Sequence, residues 1–367
     1  MANATLTRTK SSLTRGQLPP YALWLVLVGA AVLGAALSAL IGFNPVGFVI
    51  FTAIFFVIAA TIVTRVVEGG RKANNKFITF LVYGAFIIAV LPLISVVWIV
   101  LQKGVPGLLD PGFLNTSMNG VTGVEDNATA TGGPVLGGAY HAIIGTLLIT
   151  LWATIISVPI GLLTAIYLVE YSKGGPLARA ITFFVDVMTG IPSIVAGLFS
   201  VALFGVIFGP GTKTGFVAAV ALSVLMIPVV VRSSEEMLKI VPNELREASY
   251  ALGVRKWRTI TKVVIPTAIS GIASGVALAI ARVIGETAPI LVTAGFATSI
   301  NFNAFAGWMA SLPTFIYTQI LNPTSPNTIG PSDQRAWAAA LVLIIIVMLL
   351  NLIARLIARI FAPKTGR

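Results

Sequence analysis

Two oppositely charged residues interrupt a long apolar stretch in the C-terminal half of the chain. Arg282 and Glu286 lie fifteen and nineteen residues after Thr267, where the stretch begins, which is roughly 22 to 28 Å along a helix. Because they are four residues apart, they share a helix face and can pair. A lone charge at such depth in a bilayer costs at least ~3 kcal/mol, so such residues normally pair or line a water-filled path. A guanidinium can also hold an oxyanion with two donors. The spacing therefore predicts an anion-sensing or gating site, a structural ion pair, or both.

The composition indicates that the elements positioning these charges are membrane helices. The chain is 57% hydrophobic and 10% charged with a mean hydropathy of +0.96, which excludes a water-soluble core as its main architecture. Apolar stretches of eighteen or more residues predict transmembrane helices. We interpret eight stretches as spans, the sixth of them one residue shorter than this length: Tyr21–Ile41, Val46–Val67, Phe77–Leu101, Tyr140–Val169, Leu177–Phe208, Gly215–Val231, Thr267–Gly295 and Trp337–Phe361. We therefore expect an all-α polytopic membrane protein.

The distribution of basic residues predicts the topology. The N-terminus, the 65–76 linker, the 171–180 turn, the 232–262 segment and the C-terminal tail hold 20 of the 24 Lys and Arg. Positive residues mark the cytoplasmic side, so we expect both termini inside. The opposite segments, 102–139 and 296–335, are predicted to be solvent-exposed outer loops. The net charge of +12 is then a topology signal and not a nucleic-acid footprint.

Composition shifts also divide the chain into segments. We expect a polar tail at residues 1–20, an N-terminal transmembrane hairpin with a hydrophilic linker at 21–70, a main transmembrane domain at 71–361 and a short tail at 362–367. With no cysteine in the chain, disulfides and thiolate metal sites are excluded. Neither the Thr212-Lys213-Thr214 segment nor His141 supports an active site, so we expect no catalytic residue and no metal site.

Two of the predicted spans contain helix-breaking residues. Gly190 and Pro192 lie in the fifth span between the polar residues Thr189 and Ser193, and Thr287-Ala288-Pro289 follows Glu286 in the seventh. Freed backbone groups at membrane depth are tolerated where they line a cavity or are buried in protein. Two interrupted spans in one bundle favour a solute path. The predicted path residues are Thr189, Ser193, Arg282 and Glu286, with Asp186 a weaker candidate near the inner headgroups.

A basic segment between the sixth and seventh spans has the pattern of a docking element. Pro242, Glu244 and Glu247 favour a helix start, and Gly253 supplies a left-handed stop. A second short helix is expected from Lys256 to Val264, ending where Pro266 opens the next apolar stretch. The predicted docking residues are Leu245, Glu247, Ala248, Ser249, Leu252 and Gly253, with Leu245, Ala248 and Leu252 forming an apolar ridge on one face.

This segment, 232–266, resembles the EAA loop of ABC-importer permeases. Glu247, Ala248, Gly253 and Pro266 match that pattern, and Ser249 replaces its second alanine. Other fragments resemble the phosphate-importer permeases, and within them the PstA type. These fragments are Gly137-Gly138 with Gly145-Thr146, Ile191-Pro192-Ser193-Ile194-Val195, Ala281 to Pro289, Ser311-Leu312-Pro313 and Ala336 to Ala340.

The resemblance implies a type I permease with a six-helix core, to which residues 21–67 add a hairpin. It further implies a PstC-type permease partner, two ATPase subunits of the PstB type docked on the EAA loops, and an extracytoplasmic phosphate-binding protein of the PstS type. ATP and Mg would be used by the ATPase, with no cofactor bound by this chain, and the location would be the bacterial plasma membrane. Alternatives left open are an importer for sulfate, molybdate or phosphonate, and a secondary transporter or channel.

Overall fold

The structure is a computed structural model that describes residues 17–19, 21–172 and 174–361. The predicted polar tails therefore lie almost entirely outside the described residues. Within the described ranges the regular secondary structure is helical throughout. The chain divides between Val97 and Trp98 into two compact units.

The first unit contains the predicted N-terminal hairpin. Helix α1 (Ala22–Leu40) and helix α2 (Pro45–Glu68) are joined by a tight turn in which the Asn44 side chain accepts the Val46 N–H at 2.9 Å. The helices approach closely at Gly34, where a Cβ would lie 2.4 Å from Thr52 Oγ1. Only a glycine fits this contact.

The hydrophilic linker expected after the hairpin is almost entirely helical. A single residue, Gly69 with φ 91°, separates α2 from helix α3 (Gly70–Leu108), so the polar residues are helical. Lys76 Nζ reaches back to Glu68 Oε2 at 3.0 Å. Lys and Arg are good helix formers, and no Gly or Pro lies between Arg71 and Phe77, so the third span begins earlier than its apolar content indicates.

The second unit is built on two long central helices. Helix α5 (Tyr140–Ile166) continues as a π-helical turn, Tyr167–Tyr171, and helix α8 (Gly215–Ile240) packs along it. Their contact is the largest apolar core of the unit and includes Ile149, Leu222 and Met226, all nearly inaccessible. Helix α14 (Gly330–Phe361) is the last span.

The two predicted interruptions are present. Helix α6 (Pro176–Thr189) and helix α7 (Ser193–Phe208) meet at an angle of 109°, so the fifth span is a bent pair and not one straight helix. Helix α11 (Ile265–Val283) ends before the short helix α12 (Ala288–Thr293). Within the described residues seven helices are long and apolar enough to cross a membrane, and the bent pair makes eight. The expected number of spans is confirmed.

The outer segments are more ordered than the sequence predicted. Helix α4 (Gly123–Ala128) begins with a capping box made by Thr122 and Glu125, and helix α13 (Leu312–Leu321) begins with one made by Ser311 and Thr314. The Thr122-to-Glu125 spacing has the sequence signature of a capping box, whereas Thr314 stands where that signature has Glu or Gln. The sequence therefore signals the start of α4 but not that of α13.

Arg335 and Asp126, both expected in exposed loops, form a buried ion pair instead. Arg335 donates from Nη1 to Asp126 Oδ1 at 2.9 Å and from Nη2 to Oδ2 at 2.6 Å, and the two side chains are 1% and 0% exposed. The remaining guanidinium donors reach Gln319, the Leu136 carbonyl, Thr324 and Ser332. One guanidinium therefore joins both outer segments to the start of α14.

Replacing Asp126 by Asn should destabilise the outer segments strongly. The change leaves a buried guanidinium without its counter-charge, and breaking such a pair costs roughly 3–5 kcal/mol. Thermal unfolding in detergent should show a clear loss relative to the wild type. The matched control is Lys103→Gln, which breaks an exposed 3.6 Å pair with Asp333 and should change little, because exposed pairs contribute weakly. Equal melting of the two variants would contradict this assignment.

Candidate functional site

The basic segment between α8 and α11 folds as predicted at its glycine stop. Helix α9 (Asn243–Ala251) follows Pro242, which occupies the N-cap position and not the first turn. Gly253 has φ +70° and donates its N–H to the Tyr250 carbonyl at 2.9 Å. The left-handed residue ends the helix and turns the chain toward helix α10 (Lys256–Thr259). This conformation confirms the predicted role of Gly253 as a stop.

An apolar ridge is exposed on α9. Leu245 and Leu252 are 42% and 83% exposed, and Ala248, which lies between them on the same face, is exposed as well. Trp257 on α10 is 53% exposed. Since α9 and α10 lie at the basic end of α8, beyond its apolar part, lipid does not account for this ridge. An exposed apolar patch rimmed by polar groups is typical of a protein interaction surface.

Ser249, one of the predicted docking residues, is buried. Its hydroxyl lies 2.8 Å from that of Thr259, and this contact holds α9 against α10. Glu247 is exposed. Ser249 therefore acts within the segment, whereas Glu247 and the ridge face outward.

The predicted end of the second short helix at Val264 is wrong. Residues Lys256–Val283 form one continuous helical run, and a π-helical turn at Ile260–Val264 connects α10 to α11. Pro266 lacks an N–H and its ring crowds the carbonyl four residues earlier. A π turn just before Pro266 changes the hydrogen-bond register at this point, so the helix passes the proline without ending.

The two interrupted helix pairs meet inside the second unit. A Cβ at Gly197 on α7 would lie 2.8 Å from Pro289 Cα at the start of α12, so only a glycine permits this approach. Ser193 is the first residue of α7 and is half-buried. Thr189, the last residue of α6, is exposed and donates its hydroxyl to the Val185 carbonyl at 3.0 Å. The breaks on α6–α7 and α11–α12 are thus adjacent parts of one region.

The predicted pairing of Arg282 with Glu286 is wrong. Helix α11 ends at Val283, so Glu286 lies beyond the helix and the two residues do not share a helix face. Neither makes an ion pair with any residue in the described ranges. Arg282 is exposed and Glu286 is half-buried. An unpaired charge within a membrane bundle needs water or a bound anion, and a structural Arg282–Glu286 bridge is absent from the described residues.

Asp186 belongs to an ion-pair group at the inner end of the bundle. Its carboxylate pairs with Arg232, which also contacts Glu235 at 2.9 Å, and Lys239 contacts Glu235 at 2.7 Å. Asp186 is 59% exposed. Asp186 and Arg232 are 46 positions apart in the chain, so sequence spacing alone does not reveal the group. The Asp186–Arg232 pair fixes α6 to α8 at the inner surface.

Comparison with known proteins places these features in a known context. The family described as "Binding-protein-dependent transport system inner membrane component" matches residues 157–367. The chain is 45% identical over 297 residues to the phosphate transport system permease protein PstA 1 of Mycobacterium tuberculosis (strain ATCC 25618 / H37Rv), with 81% of this chain and 91% of the relative covered. It is 34% identical over 297 residues to PstA of Yersinia pestis, with 81% and 93% covered.

A solved structure agrees on the fold. The crystal structure of a bacterial ABC transporter involved in the import of the acidic polysaccharide alginate matches with a TM-score of 0.51, 14% identity, and coverage of 81% of this chain and 99% of that chain.

The role of Gly253 as a helix stop can be tested with residues that differ in how readily they adopt the left-handed backbone conformation. No heavy atom lies within 4 Å of a Cβ built at Gly253, so only the backbone conformation resists a side chain. Gly253→Val should lose about 1–2 kcal/mol locally and speed amide hydrogen exchange in α9 and α10. Gly253→Asn is the matched control, because asparagine adopts this conformation more readily. Equal exchange rates in the two variants would refute the assigned role.

Proposed function

The chain belongs to the family of binding-protein-dependent transport system inner membrane components, and we propose that it is the permease subunit of an ATP-driven importer of inorganic phosphate. The proposal that phosphate is the substrate rests on the 45% identity to a phosphate transport system permease over 81% of the chain. The half of the chain that carries both interrupted pairs and the exposed ridge lies inside the family match at residues 157–367. It is a multi-pass membrane protein.

The exposed ridge of α9 supports the proposal that an ATPase subunit docks there. Leu245, Ala248 and Leu252 form a short apolar face at the basic, cytoplasmic end of the bundle. A helix offered in this way fits a groove on a partner protein, where apolar side chains spaced three to four residues apart act as anchors. ATP hydrolysis then belongs to a partner of the PstB type. A homologous permease of the PstC type completes the path, and a binding protein of the PstS type delivers phosphate from outside.

Arg282 is the proposed anion contact of this half of the path. It lies at the end of α11, is exposed, and has no ion-pair partner in the described ranges. A guanidinium stays charged at any working pH and offers two parallel donors to an oxyanion. Glu286, half-buried beyond the helix end, limits how tightly an anion is held. Ser193 and Thr189 flank the adjacent break and supply neutral hydroxyl groups.

Another oxyanion is the remaining alternative for the substrate. Sulfate and molybdate present similar oxygens to a guanidinium, and the geometry of Arg282 does not separate them from phosphate. Competition in uptake assays does: unlabelled phosphate should displace labelled phosphate, while excess sulfate, molybdate or phosphonate should not. A secondary transporter is disfavoured because it leaves the exposed ridge of α9 without a role.

Replacing Arg282 by Gln should abolish phosphate uptake while the complex still assembles. The variant keeps a polar side chain but is shorter and loses the charge that attracts the anion. The measurement is uptake of labelled phosphate into proteoliposomes that contain the chain, its permease partner, the ATPase and the binding protein. Glu286→Gln should slow turnover more than it weakens assembly.

Arg355→Gln is the matched control for this experiment. Arg355 is also an exposed arginine on a membrane helix, α14, and its replacement should leave uptake near the wild-type rate. Normal phosphate uptake by Arg282→Gln would remove Arg282 from the path.

A further inference from the structure

We propose that Arg246 is the positioning residue that fastens the docking helix α9 to the membrane helices α5 and α8, so that the three move as one body. The inference rests on the proposed function, because it assigns the route by which ATPase movement reaches the transport path. Arg246 does not belong to the exposed ridge: its side chain is 13% exposed. It points into the bundle instead of toward a partner.

The guanidinium of Arg246 makes five hydrogen bonds. Nε and Nη2 donate to Glu170 Oε1 at 3.1 and 2.8 Å, Nη2 donates to the Leu238 carbonyl at 2.9 Å, and Nη1 donates to the Val241 carbonyl at 2.6 Å and to Asn243 Oδ1 at 3.2 Å. A guanidinium has five N–H donors. All five donors are therefore occupied, which fixes the side chain to both α5 and α8.

Each acceptor has a physical reason to be there. Leu238 and Val241 lie at the C-terminal end of α8, where carbonyls have no partner within the helix and the helix dipole favours a positive charge. Glu170 lies in the π-helical turn that ends α5, and its side chain is 4% exposed. A carboxylate buried to this extent needs a counter-charge. Arg246 satisfies the end of α8 and the end of α5 together.

The helices fastened by Arg246 are in close contact along their length. A Cβ at Gly161 on α5 would lie 2.7 Å from Val230 Cγ1 on α8, and the Ser157 hydroxyl donates to the Ser223 carbonyl at 3.4 Å. Near the other end of α8, the Ser200 hydroxyl of α7 donates to the Val217 carbonyl at 2.8 Å. Contiguous packing of this kind carries energetic coupling between distant sites. The route runs from α9 through α8 to α7, whose Gly197 meets α12 beside Glu286.

The other basic residues of the segment lack these properties. Arg232 and Lys239 are 35% and 61% exposed, and although both contact the buried Glu235, neither bonds the carbonyls that end a membrane helix. Arg255, Lys256, Arg258 and Lys262 are exposed. Arg246 alone among the seven bonds both a buried carboxylate and the carbonyls that end a membrane helix.

The test distinguishes a loss of coupling between ATP hydrolysis and transport from a loss of stability. It uses the reconstituted complex of permeases, ATPase and binding protein. The variants are Arg246→Lys, Glu170→Gln and the two combined. The lysine keeps the positive charge but loses the planar guanidinium with its five donors. Arg255→Lys, an exposed residue of the same segment, is the matched control. The measurements are ATPase subunits bound, basal ATP hydrolysis, and the stimulation of hydrolysis and phosphate uptake by the phosphate-loaded binding protein.

Arg246→Lys and Glu170→Gln should retain bound ATPase and basal hydrolysis but lose stimulated hydrolysis and uptake about tenfold, which corresponds to about 1.4 kcal/mol in the coupled step. The double variant should be no worse than either single variant, because both remove one link. Parallel loss of assembly, hydrolysis and uptake would show a purely structural role and overturn the proposal, as would unchanged stimulation. A wild-type complex without phosphate-dependent hydrolysis would refute the proposed function instead.

A second measurement leaves Arg246 and Glu170 unchanged. Because the chain has no cysteine, spin labels can be attached at Leu163→Cys on α5 and Tyr250→Cys on α9, both exposed positions away from the ridge. The distance between the two spin labels, measured by double electron–electron resonance, should stay constant between nucleotide-free and ATP-bound complexes. A change of several Å would show that α9 slides on α5, and the proposal would be wrong.

Discussion

The cost of placing charge away from water determines how the arginines of this protein are arranged. A charge buried in protein or in the bilayer requires a partner, water or a bound ion. Arg335 meets this requirement through Asp126 at the outer end of the second unit, and Arg246 meets it through Glu170 at the inner end. Arg282 has no such partner in the described ranges. The contrast separates the two arginines whose ion pairs hold helices together from Arg282, which we propose as the anion contact.

Helix interruptions supply the second requirement of a path, which is irregular backbone at membrane depth. Such backbone is stable only when neighbouring protein or water satisfies it. The α6–α7 and α11–α12 breaks meet this condition jointly, because α7 and α12 pack against each other at Gly197 and Pro289. A side chain at position 197 would force the two helices apart. The close approach of the breaks thus depends on one missing Cβ.

Much of this architecture could be predicted from the sequence, for identifiable reasons. The length of the apolar stretches predicted the spans. Gly190 and Pro192 predicted the α6–α7 break, and Gly253 predicted the end of α9. What failed was long-range pairing. Asp126 and Arg335 are separated by 209 positions and Glu170 and Arg246 by 76, and no local pattern joins them. The Arg282–Glu286 pairing failed because a four-residue spacing implies a shared face only while the helix continues, and α11 ends at Val283.

The inner ends of three spans and the docking helix form one packed body. Ala165 of α5, Leu238 of α8, and Val264 and Ala268 of the α10–α11 run share a buried apolar cluster. Both π-helical turns, Tyr167–Tyr171 and Ile260–Val264, contribute residues to this region: Glu170 binds Arg246, and Val264 lies in the cluster. π turns are rare and occur frequently at functional sites, since each replaces regular helix by a less favourable register. Both turns lie at span ends that contact the docking segment: Glu170 binds Arg246 of α9, and the Ile260–Val264 turn follows α10 directly. In the proposed coupling, movement of α9 would act on α5, α8 and α11 together, and α11 is the helix that carries Arg282.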